Sequence, residues 1–288
     1  MVNCAICAIR RAVGKGEHVW PAWFLKDADA AGPRSFAWSS NGQALLNRDD
    51  EPLHFTERQR LLVPACRSCN ATLDTRFEKP AKEIVRRLAP NSWVGGVEAR
   101  EWAAVGLWFA KILLLATHPL ALHQHPEINK HGIIGEWETE DFSWLIDGTP
   151  PPPGLSLWAF RAEQERGTPT ARVLLPKVVQ LDDGGTTRFP MTMITLEGIC
   201  LTLVYHPGWA IEHPLVAEGT AWELLHNAPK GDLADLPLLP FNAINWRRPS
   251  TVVLADGLRL DGTLPPLGTI TDSPIPGNLF DVIKAASF

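Results

Sequence analysis

"ACRSCN", residues 65–70, sets two cysteines two residues apart, with an asparagine directly behind the second. Its counterpart near the start is "CAIC", residues 4–7. Two-residue spacing lets both sulfurs of a pair reach one tetrahedral ion at about 2.3 Å. The two pairs, Cys4 and Cys7 with Cys66 and Cys69, predict a structural zinc site. Such a site ties residue 4 to residue 69 and closes the subdomain between them. Ligation of this kind contributes on the order of 10 kcal/mol to folding. The fifth cysteine, Cys200, sits in "GICLTLVY" and reads as core.

Between the pairs lies "EHVW", residues 17–20, a short strand stopped by Pro21. Neighbours on a strand point to opposite sides, so Glu17 and His18 part company there. A carboxylate and a carboxamide oxygen are hard ligands suited to Mg²⁺ or Mn²⁺. Glu17 and Asn70 are therefore candidate ligands of a catalytic ion, and His18 is the candidate general base on a water. Each also has a simpler role. Glu17 suits an ion pair with Arg10, Arg11 or Lys15, His18 suits a satisfied strand position, and Asn70 suits a helix N-cap. Arg67, Arg76 and Lys79 flank the site as possible phosphate contacts or as a solvated face.

Outward from this centre, residues 27–53 are rich in Ala, Gly, Ser, Asn and Asp and read as an inserted loop. From Asn70 to Leu88 the apolar positions Leu73, Phe77, Ile84 and Leu88 keep helical spacing, with Pro80 expected to kink this helix or divide it. Residues 99–117 give the clearest helix, with Trp102, Val105, Phe109, Ile112, Leu113 and Ala116 on one face, widened by Leu107 and Trp108. Its most apolar part, "WAAVGLWFAKILLLA" at residues 102–116, is short for a membrane span and carries Lys111, so a buried helix is predicted. "DGTPPPPG", residues 147–154, reads as the joint between two halves. Beyond it, "LSLWAFRA", "ARVLLPKVVQL", "FPMTMITLEGICLTLVYH" and "STVVLADGLRL" read as strands, with "LDDGGTTR" as a hairpin loop. A short helix is expected at "GTAWELLHN", residues 219–227.

The chain has 288 residues, 45% of them apolar, which is enough to bury a substantial core. No secretory signal is read in "MVNCAICAIRR", so a soluble, cytoplasmic protein is expected, with cysteines used for metal and not for disulfides. Net charge is −5, carried unevenly: residues 1–120 sum to +4 and residues 121–288 to −9. A basic front suits a polyanion, and an acidic back suits a partner surface. The histidines at 118, 123, 125 and 131 match no familiar metal spacing, and neither do His206 and His213. Most of the 12 tryptophans read as core, not as base-stacking platforms.

The order "CAIC", "EH", "CRSCN" resembles the HNH, or His-Me finger, endonucleases, in the four-cysteine zinc sub-type to which phage endonuclease VII belongs. The longer string "EHVWPAW…CRSCN…LDTRFE…WAAVGLWFAKILLLA", with "PPPGLSLW" after it, is similar to bacterial HNH-like proteins of unassigned role. The resemblance implies an α+β protein. A zinc-stabilised ββα-metal finger (1–89) would be followed by a helical segment packed on it (90–148) and a mostly antiparallel β-rich domain (149–288). It implies cleavage of nucleic acid, DNA ahead of RNA, to 5′-phosphate and 3′-hydroxyl ends. His18 would be the base, Glu17 and Asn70 would hold Mg²⁺ or Mn²⁺, and zinc on the four cysteines would be purely structural. The middle asparagine of the family has no placed counterpart: Asn41 and Asn47 fall in the insertion, and Gln59 is the other candidate. By family association a role in anti-phage defence follows. The β-rich half would then receive a protein partner or an activating ligand. The other readings are a catalytically silent zinc module that binds nucleic acid or protein, and an effector nuclease switched on by a partner.

Overall fold

The computed structural model describes residues 2–14, 16–30, 35–40, 43–44, 54–56, 62–118, 120, 142–163, 170–181, 186–196, 198–205, 209–239, 253–259 and 267–270. Its front half is built on a minimal hairpin. Strand β1 (Glu17–His18) pairs antiparallel with a strand at Leu62–Val63, placing Glu17 opposite Val63 and His18 opposite Leu62. Gly16 permits this pairing. Its φ is +87°, and a Cβ there would lie 2.3 Å from the Val63 carbonyl oxygen.

The chain between those two strands corrects the expected loop. It forms helix α1 (Ala22–Ala30), then strands β2 (Ser35–Ser40), β3 (Gln43–Ala44) and β4 (His54–Thr56), before β5 (Leu62–Val63). The small polar residues that suggested a loop are here carried by backbone pairing. β2 pairs with β3 and β4, and also runs parallel to a strand from the far half of the chain.

After β5 the helices follow closely. Helix α2 (Arg67–Leu73) runs through a π-helical turn (Asp74–Glu78) into α3 (Lys79–Leu88). Pro80 stands in the first turn of α3, where its missing N–H costs nothing within that helix. The π turn directly before it divides the stretch into α2 and α3. Leu73, Phe77 and Leu88 are buried, as the spacing predicts; the predicted Ile84 is half-buried, and its neighbour Val85 is buried instead. Helix α4 (Ala99–Thr117) has the predicted bounds and opens on a capping box between Glu98 and Glu101. Of its predicted face, Trp102, Val105, Trp108, Phe109, Ile112, Leu113 and Ala116 are buried and Leu107 is half-buried. Among the described residues no helix is long and apolar enough to cross a membrane.

A short helix α5 (Trp144–Asp147) ends at Gly148 in a left-handed conformation, and the prolines lead into β6 (Leu155–Arg161). The back half is sheet: β7 (Thr170–Leu181), β8 (Thr186–Leu196), β9 (Ile199–Tyr205), β10 (Trp209–Glu212), β11 (Trp222–Glu223), β12 (Val253–Arg259) and β13 (Leu267–Ile270). The nine-stranded sheet has the path β11-β6-β9-β8-β7-β2-β3, with β13 beside β7 and β4 beside β2. Every pairing in it is antiparallel except β2 with β7. The β7–β8 ladder skips register between Leu174 and Lys177, where Pro176 and Pro190 withhold ladder N–H groups. The hairpin read at "LDDGGTTR" is present as the β7–β8 pairing, while residues 182–185 lie outside the described residues.

The helix expected at residues 219–227 does not form. Trp222 and Glu223 pair instead with Ala159 and Trp158 of β6. The Glu223 carboxylate then accepts from the backbone N–H groups of Leu225, His226 and Asn227, which closes a turn. A side chain that satisfies three successive amides competes directly with helical bonding.

One apolar core spans both halves. Trp93, Trp102, Val105, Trp108 and Phe109 belong to it together with Leu157, Ile194, Leu196 and Leu201. Trp93 donates its indole N–H to the Leu196 carbonyl at 3.0 Å, and Trp102 donates to the Gly231 carbonyl at 3.1 Å.

Candidate metal centre and hairpin site

The zinc expectation has a clear geometric counterpart. Cys4, Cys7, Cys66 and Cys69 bring their sulfurs within 4.8 Å of one another. Four thiolates around one zinc ion sit about 3.8 Å apart if each bond is about 2.3 Å, so the cluster fits that ion. The backbone builds the cluster from both sides. In the first knuckle Cys4 N–H donates to the Arg10 carbonyl and Ala8 N–H to the Cys4 carbonyl, with Ala8 at φ +54°. The knuckle is laid against the second by Ala5 N–H to the Pro64 carbonyl and Val13 N–H to the Ala65 carbonyl.

The sulfurs cannot all ionise together without a cation. Burial opposes the Cys7 thiolate, but backbone N–H groups of Arg10 and Ile9 and the thiols of Cys4 and Cys69 bring it down to about 7. Burial and the neighbouring sulfurs drive the Cys69 thiol far up. A dication removes this conflict, since a coordinating thiol is deprotonated outright. The donor set is that of a structural zinc site.

Helix α2 starts inside the cluster. Cys66 is its N-cap and accepts the Cys69 N–H on its sulfur at 3.5 Å. Asn70 is therefore not the cap. It lies in the first turn, its N–H bonded to the Cys66 carbonyl at 3.0 Å and its side chain exposed. Arg67 is exposed in the same turn. Lys79 is exposed and pairs with Asp74 at 2.8 Å. Arg76 is committed elsewhere: its guanidinium donates to the carbonyls of Trp144 and Thr149 and stacks near the Phe77 and Trp144 rings. It ties the π turn to α5 and the joint, and is not placed to serve a phosphate.

Glu17 is also committed. It is 5% exposed, and its Oε1 accepts from Lys111 Nζ at 2.8 Å, while Lys15, one of the expected partners, lies outside the described residues. Lys111 also reaches Glu78 Oε1 at 2.8 Å and the His18 carbonyl at 3.2 Å. Burial pushes the Glu17 carboxyl above its ordinary value, against the pull of Lys111. A divalent ion on this carboxylate would stand beside a buried ammonium already held on Oε1, two like charges competing for one side chain. The side chain as held does not fit that ion. His18 is half-buried on the other side of the strand from Glu17. The structure thus joins Glu17 and His18 through Lys111, while Asn70 sits on the exposed face of α2, with no contact between Asn70 and Glu17 among those described.

Behind β1, Trp20, Trp23, Phe24 and Trp108 pack as a group of rings, with Trp23 and Trp108 centroids 5.8 Å apart. His118, from the histidine group, is not a metal ligand here. Its Nε2 meets the Ala5 carbonyl at 3.2 Å and its Nδ1 accepts the Leu120 N–H, which fixes a neutral ring whose pKa burial lowers to about 4. His123, His125, His131, His206, Asn41, Asn47 and Gln59 lie outside the described side chains. Cys200 is buried core.

Lys111, Glu78 and His118 were not read as site residues from the sequence. The signal for Lys111 was present: a lysine inside an unbroken apolar helix must find a carboxylate. Nothing local pointed to Glu78 or to the Ala5 carbonyl as partners. Comparison with protein-family models, with curated proteins and with solved structures finds no match to this chain.

Proposed function

We propose that the zinc-anchored front half is a nucleic-acid phosphodiesterase of the His-Me finger type, acting on DNA ahead of RNA, with His18 as general base. One observation carries the reading. The strand with His18 is paired to β5, and only three residues later the chain enters a helix pinned by four clustered cysteines. That is the β, β, α order in which such a histidine is presented. His18 takes the proton of a water, which attacks phosphorus as the P–O3′ bond breaks. Of the exposed polar residues of α2, Arg67, Ser68 and Asn70, the phosphate contacts fall to Arg67 and Asn70. Because Glu17 is held by Lys111, no step is routed through an ion on it. The zinc contributes shape alone.

The test is a cleavage assay on supercoiled plasmid, single-stranded DNA and RNA, in Mg²⁺, in Mn²⁺ and in EDTA. His18→Ala is expected to lose about 10²-fold or more in rate, the usual contribution of a general base, while keeping one equivalent of zinc. Equal cleavage by parent and variant would sink this role for His18.

The ammonium on Glu17 favours a second reading, a silent zinc module that binds nucleic acid or protein. It predicts zinc-loaded, folded protein that binds nucleic acid or a partner and cleaves nothing under any of these conditions.

A further inference from the structure

A lysine ammonium has three N–H donors. At Lys111 all three have acceptors: Glu17 Oε1 at 2.8 Å, Glu78 Oε1 at 2.8 Å and the His18 carbonyl at 3.2 Å. The Lys111 side chain is 0% exposed, and the carboxylates of Glu17 and Glu78 are 7% and 11% exposed. Three elements meet on this one atom: β1, the π turn and α4. Two carboxylates converging on one buried point are the donor set that a small hard cation would take.

We propose that Lys111 is the resident cation of the hairpin site. Its ammonium fills the place on Glu17 that a divalent ion would need, and it is the positioning residue that fixes the strand carrying His18. Lys111 and an ion at Glu17 compete, because both draw on the same buried carboxylate and their like charges repel strongly there. The bond to the His18 carbonyl makes the same ammonium a clamp on the backbone of the proposed base. The first half of the proposal stands without the nuclease reading, and the second half rests on it.

The test of the first half is Mn²⁺ titrated onto zinc-loaded full-length protein without nucleic acid, followed by electron paramagnetic resonance. Parent and Glu17→Gln are expected to give the same binding curve. Lys111→Met, which frees both carboxylates, is expected to gain one site at least about tenfold tighter than any in the parent. Adding Glu17→Gln to it is expected to remove that site. A Mn²⁺ site in the parent that Glu17→Gln abolishes overturns the proposal, and so does a folded Lys111→Met that gains none. The comparison of parent with Glu17→Gln decides even if Lys111→Met does not fold. For the second half, Lys111→Met is expected to lose at least about tenfold in His18-dependent cleavage and to recover it in millimolar Mn²⁺, the ion replacing the ammonium. Loss of rate that Mn²⁺ leaves unchanged reduces Lys111 to a packing role. A parent that cleaves nothing removes the nuclease reading, while the binding curves still decide the first half.

Discussion

At the scale of single residues, Lys111, Glu17 and Glu78 illustrate how unequal the costs of breaking and replacing a buried ion cluster are. Lys111→Ala leaves two carboxylates facing each other out of water, so a loss of about 3–5 kcal/mol is expected. It should appear as a lower urea midpoint with an unchanged slope. Changing all three residues to methionine removes every charge at once and is expected to recover most of that loss. If the triple variant were no more stable than Lys111→Ala, packing at these positions would outweigh charge. His213 supplies a second residue-level expectation. It is buried beside Trp158 and Phe160, accepts the Leu215 N–H on Nδ1, and burial lowers its pKa to about 3. The unfolded chain then binds its proton first, near pH 6.5, so stability is full above that value and falls as pH drops toward 3. His213→Phe should flatten this acid-side slope by a few kcal/mol over the window, read from urea midpoints against pH. Histidine burial of this kind could not be read from "IEHP", where nothing local marks the ring as enclosed.

At the scale of elements, α4 pits intrinsic propensity against packing. Glycine inside a helix is worth about 1 kcal/mol less than alanine, so Gly106→Ala should stabilise an isolated helix. Here a Cβ at Gly106 would lie 2.8 Å from Leu224 Cβ and 2.9 Å from the Leu224 carbonyl oxygen. The neighbour is backbone and cannot step aside cheaply, so the substitution is expected to cost about 1–3 kcal/mol. A rise in melting temperature would show that the segment at Leu224 yields. The bounds of α4 were fully legible because its apolar positions repeat at helical spacing for 19 residues. The segment that meets it was misread, since "TAWELLH" has the composition of a helix. It became a strand end and turn only because Glu223 found amides to bond. Helix α2 depends on the cysteine cluster in a different way. Its N-cap is itself one of the four thiols, so chelating the zinc should unravel the first turn and the knuckle together. Loss of near-ultraviolet dichroism on chelation, restored by added zinc, is the expected result.

At the scale of the whole molecule, the proline stretch at residues 147–154 read as the joint between two halves, and the cysteine knuckles suggested one small clamped unit. The knuckles were legible because metal spacing is a local property. The contact between halves was not, because it rests on pairs far apart in sequence, such as Trp93 with Leu196 and Trp102 with Trp222. With one core running through α4 into β8 and β9, thermal unfolding is expected as a single cooperative transition. A fragment ending at residue 148 should be insoluble or molten, with the tryptophan faces of α4 uncovered. Two resolved calorimetric transitions would contradict this.

The parallel pairing of β2 with β7 carries one more consequence. The two strands of the hairpin are adjacent in space, yet the covalent path between them leaves the front half, joins the edge of the large sheet and returns. His18 and Leu62 are thus opposite ends of a tether whose midpoint is anchored on β7. Peeling β2 from that edge, or sliding it along β7, would displace a segment whose two ends both lead into the hairpin. A strand that begins at Thr170 is thereby built into the chain path that closes the two-residue strand Glu17–His18.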